Sequence, residues 1–464
     1  MAPAPRMSAK DLVGPVAIFF GTLLLVSAIA LPLYFTDTLK KTPMDLDLTS
    51  VAVSQPQQGV SGNNDQPAKI FNSCSVNQPR AEVSDARLTQ QQRVIVVDPA
   101  DADIATFQAG NSIRIDSYTS GGETITPSAV GGKGACMTSL LTATRDLVTT
   151  NRETAQPQIS GGGQSEVKVD ASDNSVSLPD RTGLQYRFPF DVEKSDKYQY
   201  FDLTTRTTNP LTYVDDSTEI HGVKTLHFTQ EVPEVDLSTL VDANDQQMPN
   251  TSLDQTSGWY GGFPGYRNND KLPASLMQSS TRDLYVDPAS GTILNEQQHI
   301  RQSYKLNVSD DSPKEMLDYR LTALDVVFSY DQATQEALAS DAKSLSDPIT
   351  LWGRWIPIVI GIIGVFLLAV GIWLLLGSGG RSKPAVAADG PSDPDEQAYP
   401  PRYAEPRHDD HQYAAPRHEE PRYPEPTHDE HQYEQPYDPD QTRQIPVIKD
   451  DGDGFTDWSP PRRS

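Results

Sequence analysis

The stretch Leu12–Phe35, LVGPVAIFFGTLLLVSAIALPLYF, carries no charged side chain, and neither does Trp355–Gly377, WIPIVIGIIGVFLLAVGIWLLLG. An α-helix needs about 20 apolar residues to cross a hydrocarbon core about 30 Å thick, so each run is long enough to span a membrane. Two crossings return the chain to its starting side. The residues between them then lie together across the membrane from both ends. The expected organisation is residues 1–11 cytoplasmic, 12–35 a transmembrane helix, 36–74 a polar stalk and 75–350 a β-rich extracytoplasmic domain. A second transmembrane helix over 355–377 and a disordered cytoplasmic tail over 378–464 complete it.

Charge alone does not orient the chain. Arg6 and Lys10 precede the first run, Arg381 and Lys383 follow the second, and Lys40, Lys41 and Arg354 flank the middle. Long segments translocate largely regardless of charge, so the middle can lie outside. Its two cysteines, Cys74 and Cys136, are the only ones in the chain. A disulfide between them suits an oxidising compartment and closes a loop worth about 4 kcal/mol in the chain-entropy model; two separate buried thiols are the alternative. The first run also competes as a signal peptide, with Ala28 and Ala30 as small residues near a cut. Its continuation through Leu31–Phe35 favours an uncleaved anchor. Trp352, Trp355 and Trp373 suit interfacial positions at the ends of the second run.

After Gly377 the sequence turns to Pro, Asp, Glu, His and Tyr with almost no aliphatic residues, a composition that cannot build a core. Glu405–Tyr413 is repeated as Glu425–Tyr433, placing His408 with His411 and His428 with His431. A disordered tail lacks the rigid surroundings that a metal site needs, so neither metal nor cofactor is expected. The formal net charge is −25 with no basic stripe, which excludes nucleic acid as a partner class.

The middle segment reads as antiparallel β-structure. Gln92–Asp98 is β-branched and stops at Pro99, and Ser112–Tyr118 alternates apolar with polar. Val167–Asp170 with Ser175–Leu178 around Asp173-Asn174, Thr218–His221 with Val223–Phe228 around Gly222, and Leu284–Val286 with Thr292–Leu294 read as hairpins. Helical patterns fall at Gly134–Thr149, at Ser312-Pro313-Lys314-Glu315 with a capping-box spacing, and at Gln332–Ser344. The fold class is α+β and membrane-anchored, an antiparallel β-rich domain between N- and C-terminal transmembrane helices.

Catalytic signatures are missing. The middle segment has only His221, His227 and His299, and it lacks a nucleophile elbow, a C-x-x-C, an H-E-x-x-H and a phosphate-cradling glycine loop. A non-catalytic role is expected. Two aromatic groups are the candidate lipid contacts. Tyr186, Phe188 and Phe190 follow Leu184 on one face of an extended segment, where they form either core or the wall of an acyl pocket. Trp259, Tyr260 and Phe263 sit in a glycine-rich loop that either binds a ligand or folds back as a cap.

Three local signatures carry a resemblance. They are Gly14-Pro15 at the first apolar run, Gly183-Leu184-Gln185-Tyr186-Arg187-Phe188-Pro189-Phe190 with Tyr200-Phe201-Asp202, and Tyr285-Val286-Asp287-Pro288-Ala289-Ser290-Gly291-Thr292-Ile293. Together with the topology, over residues 10–377, they resemble an actinobacterial envelope family known both as a PorA-like porin family and as a domain of unknown function. The resemblance implies a part in lipomannan and lipoarabinomannan maturation, with a membrane lipid or lipoglycan, and envelope glycosyltransferases, as partners. It supplies no catalytic residues. The leading reading is a protein that binds or scaffolds a lipid or lipoglycan intermediate, and the alternative is an envelope channel or porin component. Long apolar helices would arrest an outer-membrane barrel at the inner membrane, which ranks the channel second.

Overall fold

The computed structural model describes residues 9–56, 65–128, 136–169, 175–242, 244 and 246–378. The acidic tail with its histidine repeat, and the Asp173-Asn174 turn, lie outside the described residues. Helix α1 (Ala9–Leu39) is followed by β1 (Asp47–Gln55), β2 (Ala68–Phe71), β3 (Val83–Val97), β4 (Ile104–Ser120) and β5 (Glu123–Ile125). Next come β6 (Leu140–Asn151), β7 (Ser165–Val169), β8 (Val176–Ser177), β9 (Gln199–Asp202), β10 (Thr207–Asp215), β11 (Glu219–Ile220), β12 (Val223–Lys224) and β13 (Leu226–Asp236). The chain continues through β14 (Ser252–Thr256), β15 (Lys271–Val286), β16 (Ile293–Leu306), α2 (Lys314–Leu317) and β17 (Arg320–Tyr330). It then forms α3 (Gln332–Thr350), a π-helical turn and α4 (Ile356–Ser378).

The main sheet runs β8-β7-β6-β4-β3-β1-β17-β16-β15-β13-β10-β9, antiparallel at each named pairing along this path. Its end strands β8 and β9 do not pair with each other. The irregular segment 181–190 links the two halves instead. Arg181 reaches back to Asp146 on β6 and lies 4.3 Å over the Phe201 ring on β9, while Leu184 and Gln199 share a backbone hydrogen bond. Side chains and the short backbone pairing of Leu184 with β9 thus join what the main ladder leaves open.

Three segments differ from their sequence reading. Residues 36–74, expected as a stalk, supply β1, held between β3 and β17 deep inside the sheet, and β2. Its inward face, Leu48, Ser50 and Ala52, is interrupted by the small polar Ser50, while Val51 and Val53 lie on the other face, which disguises the strand. Gly134–Thr149, expected as a helix, contributes most of β6; the run Thr142, Thr144, Val148, Thr149 favours a pleated surface and buries Asp146 and Val148 on one side. The helix at Ser312 shrinks to four residues with Pro313 at its N-cap and no side-chain cap. By contrast, Gln332–Ser344 is helical as expected, and α3 extends to Thr350 behind an Asp331 cap that accepts from the Thr334 amide at 2.8 Å. The hairpins around Gly222 and Asp287–Gly291 also form, with Val223 opposite Ile220 and Ile293 opposite Val286.

Helices α1 and α4 are each apolar and long enough to cross a membrane, and they pack side by side. A methyl on Gly21 would stand 2.9 Å from the Gly364 carbonyl, and one on Gly371 3.0 Å from that of Gly14. Glycine at these positions lets the two backbones touch. At the domain end Phe35 stacks on Trp352 at 4.7 Å. Helix α3 is tied to the sheet where the Val51 amide donates to Thr334 Oγ1 at 3.0 Å, so the apolar pair and the β domain are joined through β1.

Candidate functional site

The concave face of the sheet carries a row of polar side chains where core would be expected. Asn111, Gln92 and Ser50 are direct cross-strand neighbours on β4, β3 and β1. Gln298, Arg282 and Gln230 form the corresponding row on β16, β15 and β13. Beyond these rows the same face turns apolar, through Ile113, Ile115, Ile300 and Leu324. Leu240 and Met248 add to the lining. Together they line an open cavity of about 600 Å³. The side-chain amides of Gln92 and Gln298 face it with no hydrogen-bond partner among the described residues, although Gln298 is 7% exposed. Gln92 is half-buried, so its amide, like that of Gln298, is open to water or a ligand in the cavity.

A buried charge network braces the polar end. Arg282 donates to Glu296 at 2.6 Å, to Gln230 at 2.8 Å and to Asp202 at 3.3 Å, with the Tyr200 ring 5.0 Å beneath its guanidinium. Burial alone would push Arg282 down, but the Glu296 and Asp202 carboxylates more than offset it, and its pKa rises. Tyr330 donates to Glu296 at 3.3 Å. A second network holds Arg181 bidentate on Asp146 at 2.7 and 2.8 Å, both fully buried, and Tyr186 donates to the same carboxylate at 2.5 Å. Burial, then the Asp146 charge, raises the Tyr186 phenol well above its ordinary value and keeps it a donor. The Tyr200 hydroxyl, 3.3 Å from the Tyr186 amide, joins the two networks. Breaking a buried pair by removing one partner typically costs about 3–5 kcal/mol, so this frame sets the cavity wall rigidly.

The sequence candidates separate. Tyr186 has φ +67°, which breaks the extended alternation and turns its ring away from its neighbours toward Phe107, 6.1 Å off. It lines the cavity. Phe188 is fully buried against Phe228 at 5.3 Å, and Phe190 is 8% exposed beneath Arg187. The expected single aromatic face is therefore split, and Phe188 and Phe190 are core. Trp259 and Tyr260 are also buried; the Trp259 indole donates to the Ser75 carbonyl at 2.9 Å, and the half-buried Phe263 packs on Tyr319. That loop is a cap. Cys74 and Cys136 are joined, with their Cα atoms 4.9 Å apart, and Cys136 borders the cavity.

The stretches 183–190 and 285–293, far apart in sequence, dock on each other. The Phe188 amide donates to the Gly291 carbonyl at 2.8 Å, and Arg187 Nη2 donates to the Ser290 carbonyl at 2.7 Å. A Cβ on Gly291 would fall 2.3 Å from the Phe188 carbonyl, so only glycine fits there. Sequence reasoning missed the glutamine row, because inward Gln and Ser on strands read as outward ones. The signal present was repetition, Gln90-Gln91-Gln92 and Glu296-Gln297-Gln298 on two separate β-runs.

A two-helix, curved-sheet protein with a mixed polar and apolar cavity is the class these features define. The family model described as Porin PorA matches residues 13–373, and the chain belongs to that family. A protein of Corynebacterium amycolatum named Porin PorA is 23% identical over 399 residues, covering 78% of this chain and 98% of that one. Another of the same name, from Corynebacterium resistens, is 24% identical over 427 residues, covering 79% and 97%. These names agree with the channel alternative better than with the lipoglycan reading.

Proposed function

We propose that this chain is a non-catalytic envelope protein, anchored by α1 and α4, whose β domain lies outside the membrane and holds an amphiphile in its concave cavity. The observation that carries this reading is the cavity itself, about 600 Å³ with apolar walls and a polar end. That size falls within the range of small-molecule sites, and burying ten methylenes there contributes several kcal/mol at about 0.8 each. The unpartnered Gln92 and Gln298 amides suit a polar headgroup, and by the resemblance above a lipoglycan precursor is one such ligand. Native mass spectrometry of the full chain, extracted from an actinobacterial envelope, tests it. An adduct of lipid mass that is lost on Ile113→Trp supports the reading, and a ligand-free chain that extracts no lipid from vesicles defeats it.

The relatives' names support a second reading, a channel component. The hollow face would then be part of a water-filled path, and its glutamines would solvate a polar solute. Planar-bilayer recordings decide between the two. Steady conductance steps from the purified chain favour the channel, and a silent bilayer together with a bound lipid favours the carrier.

A further inference from the structure

Two smaller spaces lie on the same concave face as the large cavity. The first, about 300 Å³, is at the end of the domain nearest the apolar helices. It is lined by Leu46 and Leu48, a few residues after α1, and by Leu338 and Leu345 on the helix that leads into α4. The second, about 10 Å³, has room for roughly one water. Its walls are shared. Ser50, Gln92 and Tyr330 border it and the base pocket, while Gln90, Gln92, Glu296 and Gln298 border it and the large cavity. Side chains on one face of one sheet, rather than a layer of backbone, therefore separate the base pocket from the large cavity.

We infer that the base pocket is a second binding station for the same amphiphile and the mouth through which it arrives from the membrane. The waist at Ser50, Gln92, Glu296 and Tyr330 is the gate between the two. This rests on the amphiphile reading above and adds a direction to it. Chemistry favours such a route, because the base pocket is apolar where it adjoins the helices, through Leu46, Leu48, Val94 and Ile293. Arg187 also lines it. The residue is 3% exposed, and among the described residues its guanidinium donates to the carbonyls of Phe188 and Ser290 and is paired with no carboxylate. A buried cation held by neutral acceptors suits an anionic or strongly polar headgroup in transit. Asp45, Asp47 and Asp341 border the same pocket; Asp47 is paired with Arg93 at 2.7 Å. At the gate the Tyr330 hydroxyl donates to Glu296 at 3.3 Å and is hydrogen-bonded with Ser50, so its ring stands across the waist.

The test uses the full chain reconstituted in phosphatidylcholine vesicles containing a diazirine-bearing phosphatidylglycerol, with tagged residues mapped by mass spectrometry. In the unmodified protein, tags are expected in the base pocket at Leu48 or Leu338 and in the large cavity at Ile113 or Ile300. Ser50→Trp should plug the waist, leaving base tags in place and cutting cavity tags at least tenfold. In detergent micelles, where the probe reaches both ends, the same variant should tag the large cavity as the unmodified protein does. Tyr330→Ala should raise the rate of cavity tagging from vesicles about threefold, a gain that a damaged fold would not produce. Equal cavity tagging from vesicles in the unmodified, plugged and widened proteins overturns the route while leaving the amphiphile reading intact. Absence of cavity tags in the unmodified protein in both settings overturns the amphiphile reading itself.

Discussion

The aromatic segment 184–190 and the glutamine row on β3 and β16 exchange the roles their side chains suggest. Phe188, which looks like a ligand wall, is sealed against Phe228, while Gln92 and Gln298, which look like a solvated face, border the cavity. The difference follows from where each segment lies. The aromatic segment crosses the join between the two sheet ends, where β8 and β9 do not pair with each other and the backbone bonds of Leu184 to β9 cover only part of the gap, so bulky packing seals the rest. The glutamines lie mid-sheet, where backbone bonds already hold the strands, so their side chains are free to shape a hollow.

The contrast breaks most sharply at Phe188. Phe188→Ala should cost about 3–5 kcal/mol, read as a lowered midpoint in urea titration of the detergent-solubilised chain. Lost lipid binding with an unchanged midpoint would return this residue to the ligand wall. Trp259→Phe keeps an aromatic ring but removes the donor to the Ser75 carbonyl and some buried volume, so about 1–3 kcal/mol of stability should go, with lipid binding unchanged. A selective loss of binding would make the loop a contact surface rather than a cap.

Gln298→Leu sharpens the other side. Its amide has no hydrogen-bond partner among the described residues, so the change should leave stability within about 0.5 kcal/mol while altering the amount or class of copurifying lipid. A large loss of stability would make the row structural. The smallest effect concerns Asp341, at the edge of the base pocket. Burial raises its pKa above the ordinary carboxylate range. The protonated form is thus favoured by folding, and the penalty for ionising it appears as pH rises through the raised value. Asp341→Asn should raise Tm slightly at pH 7, and the gain should vanish below the ordinary Asp range. A gain that persists there would assign the effect to packing.

Much of this was legible in the residues. The apolar runs, the hairpins around Gly222 and Asp287–Gly291, and the helix over Gln332–Ser344 follow from local pattern, because short-range sterics and hydropathy decide them, while the cysteine pair was suggested by there being two cysteines in the chain. The β1 and β6 strands were obscured for opposite reasons. Ser50 and its neighbours looked too polar to be central, and Leu140, Leu141 and Leu147 imitated helical spacing within a β-branched run.

By itself, then, the sequence determined two helices long enough for a membrane and an antiparallel β domain between them, since each depends on properties that travel with a short stretch of chain, while the Cys74–Cys136 bond was decided by the structure. Only the tertiary structure decided which residues border the cavity. Facing inward or outward on a strand is a matter of register, and a Gln turned toward a hollow is chemically identical to one turned toward water. The docking of 183–190 on 285–293, a contact between stretches about a hundred residues apart, accompanies the turn of Tyr186 to the Asp146 network and the burial of Phe188 in the core.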